Sequence, residues 1–185
     1  MVIFEHFLSK HNICVVNEAL TFGSEEEFFE WKREIEKSEN CFYSKSRKNK
    51  ITNKNHCVVS YFNCFRDGFY NSAAKKRHSK VLGSNKINGF CPASINAHIS
   101  ASGKVEVKYC KTHIGHTNEL GRLRLSKSER NKIATKILAK EPYDDILNSI
   151  RSDVSKDLER KHLVTRQDLY NITKSLNPNC DEIYH

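Results

Sequence analysis

The central stretch of the chain, residues 91–116, has the sequence CPASINAHISASGKVEVKYCKTHIGH. It begins with Cys91 and ends with His113 and His116, and 26 residues separate it from an earlier cysteine, Cys64. Two thiolates and two imidazoles satisfy the tetrahedral preference of Zn2+, and histidines three positions apart can converge on one ion from a single turn. We therefore predict a zinc site made of Cys64, Cys91, His113 and His116, although the gap between the cysteines is longer than in common zinc fingers.

The same stretch alternates between apolar and polar residues, which is typical of half-buried strands. The apolar positions are Ala93, Ile95, Ala97 and Ile99 in the first strand and Val105, Val107 and Tyr109 in the second. Residues 41–47 and 58–64 are aromatic and β-branched, so they predict a hairpin whose polar turn is residues 48–55. The pattern indicates four antiparallel strands that zinc joins at one end. Folding of so small a sheet should depend on the metal.

A helix is predicted in front of these strands. Ser24 and Glu27 have the spacing of a capping box, and apolar residues recur at helical intervals up to about Ser38. The stripe Phe28, Trp31 and Ile35 could stack on bases, but this spacing favours a helix face packed on the sheet.

The last third of the chain is predicted to be helical. Ser126 with Glu129 and Thr165 with Asp168 form capping-box patterns, and Pro142 suits a first helical turn. The apolar faces contain Ile133, Ile137, Leu138, Ile146, Leu147, Ile150, Leu169 and Ile172. These helices could form a helix-turn-helix, but their charges are roughly balanced, which favours a packing or dimerisation role.

The predicted fold class is α+β: a small four-stranded antiparallel zinc-joined sheet with an N-terminal helix, followed by a short helical unit. We expect an N-terminal segment over residues 1–23, a zinc-binding β domain over 24–121, a helical unit over 122–176 and a tail over 177–185.

Charge is unevenly distributed along the chain. The net charge is +9, yet residues 41–90 contain eleven Lys or Arg and one acid, Asp67. Such a basic segment is typical of a nucleic-acid binder, with a solvated basic surface as the alternative. We predict that Lys45, Arg47, Lys48 and Lys50 lie on a DNA-contacting strand. Lys75, Lys76, Arg77 and Lys80 would hold phosphates or act as a nuclear-import signal.

Length and composition restrict the protein class. At 185 residues with 38% hydrophobic content, the chain can hold one or two small domains and no large enzyme core. Residues 1–22 lack the continuous apolar core of a signal peptide or membrane span. Seven cysteines, an odd number, suit metal ligation and buried thiols in a reducing compartment. We expect an intracellular, nuclear protein without membrane association.

The motifs resemble a zinc-finger superfamily that includes WRKY, GCM, FLYWCH and far-red-impaired DNA-binding domains. The aromatic strand Tyr61–Cys64, the second cysteine with Cys91-Pro92-Ala93, and the 21 residues between Cys91 and His113 carry this resemblance. A closer resemblance, over roughly residues 25–175, is to the calcium-responsive transcription factor family and to Mutator-like transposase-related proteins. Its motifs are the helix segment 28–31, Tyr-x-x-Cys-x-Arg-x-Gly at 61–68, residues 109–116, and the helical segments 146–151 and 165–169. The resemblance implies a zinc-dependent DNA-binding domain.

The chain departs from these families in two respects. Residues 44–48 lack the WRKY signature strand, so the DNA target cannot be transferred from that family. Two residues separate His113 from His116, where one is common, and Cys110 could replace one of these histidines. Transposases of this kind also carry an acidic catalytic domain, which we do not expect in this chain.

The leading hypothesis is a zinc-dependent double-stranded-DNA-binding protein, transcription-factor-like or transposase-derived, in which a basic β-strand enters the major groove. The alternatives are a zinc-joined protein-interaction module, with a protein partner or a second copy bound through the C-terminal helices, and a non-catalytic transposase remnant. We do not expect an enzyme. A four-ligand zinc set is closed, and the acids Asp144 and Asp145 have no recognisable partner for a nuclease.

Overall fold

The computed structural model describes residues 3–46, 50–52, 57–71, 83–153 and 158–177. The chain forms two compact units, Met1–Glu119 and Leu120–His185. Each unit contains its own cluster of buried apolar side chains. Among the described residues, helices are too short or too polar to traverse a bilayer.

The first unit is α+β, as predicted, and is built on one antiparallel sheet. Its elements are α1 (Ile3–His11), β1 (Asn17–Phe22), α2 (Glu25–Ser38), β2 (Tyr43–Lys45), β3 (Lys50–Thr52), β4 (Cys57–Cys64), β5 (Ser94–Ile99) and β6 (Val105–Cys110). The strand order is β1-β6-β5-β4-β2, and β3 also pairs with β4. Since β2 and β3 pair with successive parts of β4, the six strands form a sheet five positions wide. The prediction of four strands was therefore close but incomplete.

The alternation predicted for β5 and β6 is confirmed. Ala93, Ile95 and Ala97 have no exposed surface, and Val105 and Val107 are buried on the same side of the sheet, while His98 and Glu106 are exposed. Because side chains alternate between the two faces of a strand, this register places the apolar side chains of both strands on the same face of the sheet.

Helix α2 covers the apolar face of the sheet. The ring centroid of Phe28 lies 6.1 Å from that of Phe62, and the rings of Trp31 and Tyr109 are nearly perpendicular with their centroids 5.3 Å apart. The aromatic stripe is thus core, as the spacing indicated. The Ser24 hydroxyl accepts a hydrogen bond from the Glu27 amide, as in a capping box. The Glu27 carboxylate, however, accepts from the amide of Gly23, the residue before the N-cap, and not from the amide of Ser24 itself.

Three elements were not predicted. α1 and β1 fall in the N-terminal segment, and β3 falls inside the residues assigned to a polar turn. β1 pairs with β6 along six residues, from Asn17 opposite Cys110 to Phe22 opposite Val105. Its residues are exposed or half-buried throughout. Leu20 and Phe22 pack against the core, so side-chain packing holds the strand in place together with its pairing to β6.

The second unit is helical, with α3 (Lys127–Leu138), α4 (Tyr143–Ser152) and α5 (Arg166–Leu176), and 3-10 turns at Leu120–Arg122 and Arg160–Leu163. The capping boxes at Ser126 and Thr165 are both present, and Pro142 immediately precedes α4. The core consists of Ile133, Ile137, Ile146, Leu147, Val164, Leu169 and Ile172. The prediction that Leu138 faces this core is wrong, since 68% of it is exposed. It is the last residue of α3, just before the chain reverses at Lys140 with φ of 61°.

Candidate metal centre

The sheet brings the predicted ligands to one end. Cys64 is the last residue of β4, Cys91 lies three residues before β5, and His113 lies three residues after β6. The register places the end of β4, the start of β5 and the end of β6 side by side. Segments that are remote in sequence therefore meet at one corner of the sheet.

The four side chains converge with their donor atoms facing each other. The Cys64 Sγ lies 3.4 Å from the His116 Nε2, and the Cys91 Sγ lies 3.6 Å from the His113 Nδ1. The His113 Nδ1 and His116 Nε2 are 3.4 Å apart. One donor atom from each of the four residues lies within 4.8 Å of the other three. These residues are close enough together to hold a metal ion.

The distances can be compared with those around a tetrahedral ion. With Zn–S of about 2.3 Å and Zn–N of about 2.0–2.1 Å, tetrahedral angles require about 3.6 Å between sulfur and nitrogen and about 3.4 Å between the two nitrogens. The observed separations agree with these values to within about 0.2 Å. These three separations are therefore compatible with ligands of one tetrahedral ion.

A left-handed turn brings the two histidines together. Gly115 lies between them with φ of 79°, a conformation that side chains other than glycine rarely adopt. A Cβ added there would approach the Ile87 Cδ1 at 3.2 Å, which is a tight contact. The His-Ile-Gly-His sequence is thus suited to this turn by its glycine.

The two cysteines are fixed through their own backbone. The Cys91 amide donates to the Asp67 carboxylate at 2.8 Å, and the Cys64 amide donates to the Ala93 carbonyl at 3.0 Å. An isolated antiparallel bridge joins Gly68 to Gly89 beside them. Residues 69–89 link the two cysteine segments, and 72–82 of these lie outside the described residues. The described ends of this segment are paired with each other.

His116 is oriented by a buried arginine. The His116 Nδ1 lies 3.1 Å from the Thr117 carbonyl, which also accepts a 2.9 Å hydrogen bond from Arg66. Arg66 is only 9% exposed and also donates to the Asn85 carbonyl and to the Glu119 carboxylate. A carbonyl acceptor at Nδ1 makes the Nε2 of His116 the nitrogen with a free lone pair, as a metal ligand requires.

His113 is approached on its other side by a second polar group. Donor atoms of Glu39, Cys41 and His113 also lie within 4.8 Å of one another, and the Tyr43 hydroxyl is 3.3 Å from the His113 Nε2. Burial, together with Glu39 and Glu36, raises the pKa of the Cys41 thiol to about 12. His113 is common to both groups, so the second group adjoins the four-residue set.

The two thiols of the four-residue set interact with each other. A hydrogen bond from Cys64 lowers the pKa of the Cys91 thiol, with a further contribution from His113. The same hydrogen bond raises the pKa of the Cys64 thiol.

Cys110, the alternative ligand, is buried at the end of β6. It is not part of either group of potential ligands found among the described residues. In β6 it follows Tyr109, and successive side chains of a strand point to opposite faces, so Cys110 lies on the face away from α2.

The predicted nucleic-acid contacts are only partly visible. Lys45 is exposed in β2. The backbone of Lys50 is described in β3. The other residues predicted for this role, Arg47, Lys48, Lys75, Lys76, Arg77 and Lys80, lie outside the described residues. Of the acids considered for a nuclease, Asp144 forms an exposed ion pair with Arg166.

Three site residues went unrecognised in the sequence. Tyr43 and Tyr109 were counted only as strand residues, and Arg66 only as part of a motif. For the two tyrosines, the sequence does show a side chain with a hydroxyl group at a position in a strand that is expected to be buried. A buried tyrosine hydroxyl normally has a hydrogen-bond partner. Such a signal indicates that a partner exists but not which one.

Comparisons with known proteins add no family assignment: no family model, curated protein or solved structure matches the chain.

Proposed function

We propose that this chain is a zinc-stabilised module that binds double-stranded DNA, with the metal as a structural element. The proposal is carried by the closed set of two cysteines and two histidines at the corner of the sheet. A tetrahedral S2N2 set suits Zn2+, and four protein ligands leave no position for a substrate or a reactive water. The site thus favours a binding module over an enzyme.

Double-stranded DNA as the partner rests first on charge. The described residues of the first unit contain eleven Lys or Arg and twelve Asp or Glu, so the basic excess of this unit belongs to segments 47–49, 53–56 and 72–82. The solvent face of α2 is acidic and carries Glu25, Glu26, Glu30 and Glu34. A polyanion would therefore avoid the helix side and approach the parts of the unit that carry these basic segments.

The edge of the sheet offers a second support. Lys45 pairs with Phe62 and Lys50 with Val59, so both lysines belong to strands beside β4 at the sheet edge. Arg47 and Lys48 lie between these two lysines in the sequence. The resemblance to WRKY-type and transposase-related domains points to the same edge.

Elemental analysis tests the metal. The wild-type chain, purified without chelator, should contain about one zinc per molecule. Cys91→Ser and His116→Ala should lose it, while Cys14→Ser, a change at an exposed cysteine outside the site, should retain it. Wild-type protein without zinc, or zinc retained in both site variants, would contradict the proposed centre.

DNA binding is tested by its salt dependence on the zinc-loaded protein. Each phosphate contact adds about 0.9 to the slope of log K against log salt. Changing Lys75, Lys76 and Arg77 together to alanine should reduce the slope by about 2–3. The control changes Lys10, Arg33 and Lys37, which removes the same charge from other parts of the unit and should leave the slope nearly unchanged. Equal effects of both triple variants would refute a specific basic surface.

Base recognition is tested separately. Arg47→Ala should weaken binding to a selected site by about 1–3 kcal/mol and reduce discrimination against random DNA, because one bidentate contact to guanine has this value. Lys76→Ala should weaken both DNAs alike. If the two variants behave identically on both DNAs, the division into base-reading and phosphate-holding residues is wrong.

A protein-interaction module is the second candidate, favoured by the helical unit. Exposed leucines occur there at Leu138, Leu158, Leu163 and Leu176. A complex with a protein partner or a second copy that persists at high salt, together with salt-insensitive or absent DNA binding, would support this candidate instead.

A further inference from the structure

A buried row of hydroxyls leads away from the candidate metal centre. The His113 Nε2 lies 3.3 Å from the Tyr43 hydroxyl, which donates to the Tyr109 hydroxyl at 3.4 Å. Tyr109 in turn donates to the Glu39 carboxylate at 3.1 Å. Both tyrosines are only 1% exposed, so the hydrogen bond between them is buried. The row starts at a ligand and ends at the C-terminus of α2.

The hydrogen bonds of this row all run in one direction, because each hydroxyl has only one hydrogen to donate. A carboxylate can only accept, so Tyr109 donates its single proton to Glu39. Tyr43 then donates its proton to the Tyr109 oxygen. The Tyr43 oxygen is left as an acceptor facing the His113 Nε2, so a hydrogen on that nitrogen completes the row. An imidazole protonated at Nε2 has its lone pair at Nδ1, the nitrogen that faces the Cys91 sulfur at 3.6 Å.

The tyrosines are held in place by packing as well as by hydrogen bonds. Their rings meet edge to face at 6.0 Å, and the edge of Trp31 from α2 contacts Tyr109. Glu39 is the residue that caps the C-terminus of α2. The row therefore spans three separate elements, α2, β2 and β6, and depends on their correct packing.

We propose that Tyr43, Tyr109 and Glu39 are positioning residues that select the Nε2-protonated tautomer of His113 and thereby prepare its Nδ1 for the metal. This inference rests on the proposed metal centre and deepens it. Hydrogen-bonded partners behind a ligating histidine fix its tautomer and ring orientation, and their removal typically weakens metal binding about 10–100-fold. The row also makes the docking of α2 part of the metal site.

The direct test is the tautomer of His113 in the metal-free protein, measured by long-range 1H–15N NMR under conditions in which circular dichroism shows the metal-free chain folded. The wild type should show the hydrogen on Nε2, and Tyr43→Phe should shift His113 towards a mixture of tautomers. Tyr70→Phe is the matched control, because it removes the same hydroxyl from a residue that is 52% exposed. Glu39→Gln preserves an acceptor oxygen but loses the charge, so it should have a smaller effect than Tyr43→Phe.

Zinc affinity gives the second readout, measured by competition with a chromophoric chelator. Tyr43→Phe should bind zinc about 10–100-fold more weakly than Tyr70→Phe. Circular dichroism establishes that both variants remain folded. An unchanged tautomer and unchanged zinc affinity in folded Tyr43→Phe would overturn the inference.

The two proposals fail differently. If the wild type binds no zinc, the metal centre itself is refuted, and this inference falls with it. If the wild type binds zinc and Tyr43→Phe binds it equally well with the same tautomer, the centre stands and the positioning role of Tyr43 is refuted.

Discussion

Replacing Arg66 by methionine is expected to destabilise the first unit strongly. Methionine keeps most of the aliphatic volume of the arginine side chain, so the change removes donors without opening a large cavity. The Thr117 carbonyl loses its 2.9 Å partner, the Asn85 carbonyl loses a 3.3 Å partner, and Glu119 loses an ion pair.

The expected loss can be worked out contact by contact. A hydrogen bond from a charged donor to a buried acceptor contributes about 1.5–3 kcal/mol, and the longer bond to Asn85 belongs at the lower end. The Glu119 side chain is 50% exposed, so screening limits that pair to at most about 1 kcal/mol. We expect a decrease of about 3–5 kcal/mol in the free energy of unfolding, or roughly 10–20 °C in Tm.

Urea unfolding followed by tryptophan fluorescence measures this loss in the zinc-loaded protein. Trp31 is the only tryptophan, and it lies in the core of the first unit, so its signal reports that unit. Arg33→Met is the matched control, because Arg33 is 71% exposed and its pairing with Glu30 is loose at 3.8 Å. It should change the free energy of unfolding by no more than about 0.5 kcal/mol.

An Arg66→Met variant that loses less than about 1 kcal/mol, or no more than Arg33→Met, would refute the role assigned to this arginine. Zinc affinity provides an independent readout. Arg66 and the His116 Nδ1 share the Thr117 carbonyl, so Arg66→Met should also weaken zinc binding, whereas Arg33→Met should not.

Two further predictions concern the same site. Gly115→Ala should lower the free energy of unfolding by about 1–3 kcal/mol, because it places alanine in a left-handed conformation with a 3.2 Å contact to Ile87. Gly121→Ala is the control, because its added Cβ would make only an ordinary 3.8 Å contact with Leu163, and it should leave the unfolding curve followed by Trp31 fluorescence unchanged. Equal losses in the two variants would contradict the role given to the turn at Gly115. In mass-spectrometric alkylation of the zinc-loaded protein at pH 7.5, exposed Cys14 should react first, and Cys64 and Cys91 only after a chelator is added. Cys41 should react slowly in the zinc-loaded protein, because burial raises its pKa to about 12 and leaves little thiolate at pH 7.5. Alkylation of Cys64 and Cys91 at the same rate with and without chelator would count against a bound metal.

Several features of this protein could be predicted from local sequence. Alternation in residues 93–109 predicted two strands with the correct buried face, and the capping boxes at Ser126 and Thr165 predicted two helix starts. Both signals depend only on the periodicity of the backbone and on residues a few positions apart. Ligand chemistry likewise identified two cysteines and two histidines before any fold was known.

Other features depended on pairing between remote segments. β1 lies in a segment interrupted by polar and charged residues, although its Leu20 and Phe22 pack against the core, and β3 lies in a Lys- and Asn-rich stretch. Neither was distinguished from a loop until β6 and β4 were available as partners. Leu138 followed the helical period but lies where α3 ends, and period alone does not determine where a helix stops.

The donor set was determined by the sequence, because only certain side chains can ligate a metal of this kind. The surroundings of that set were decided by tertiary structure alone. Arg66 reaches the carbonyl beside His116 across 51 positions of the chain, and Tyr43 reaches His113 across 70. Such contacts come from the packing of α2 on the sheet and from the strand order, and neither is encoded in the spacing of residues along the chain.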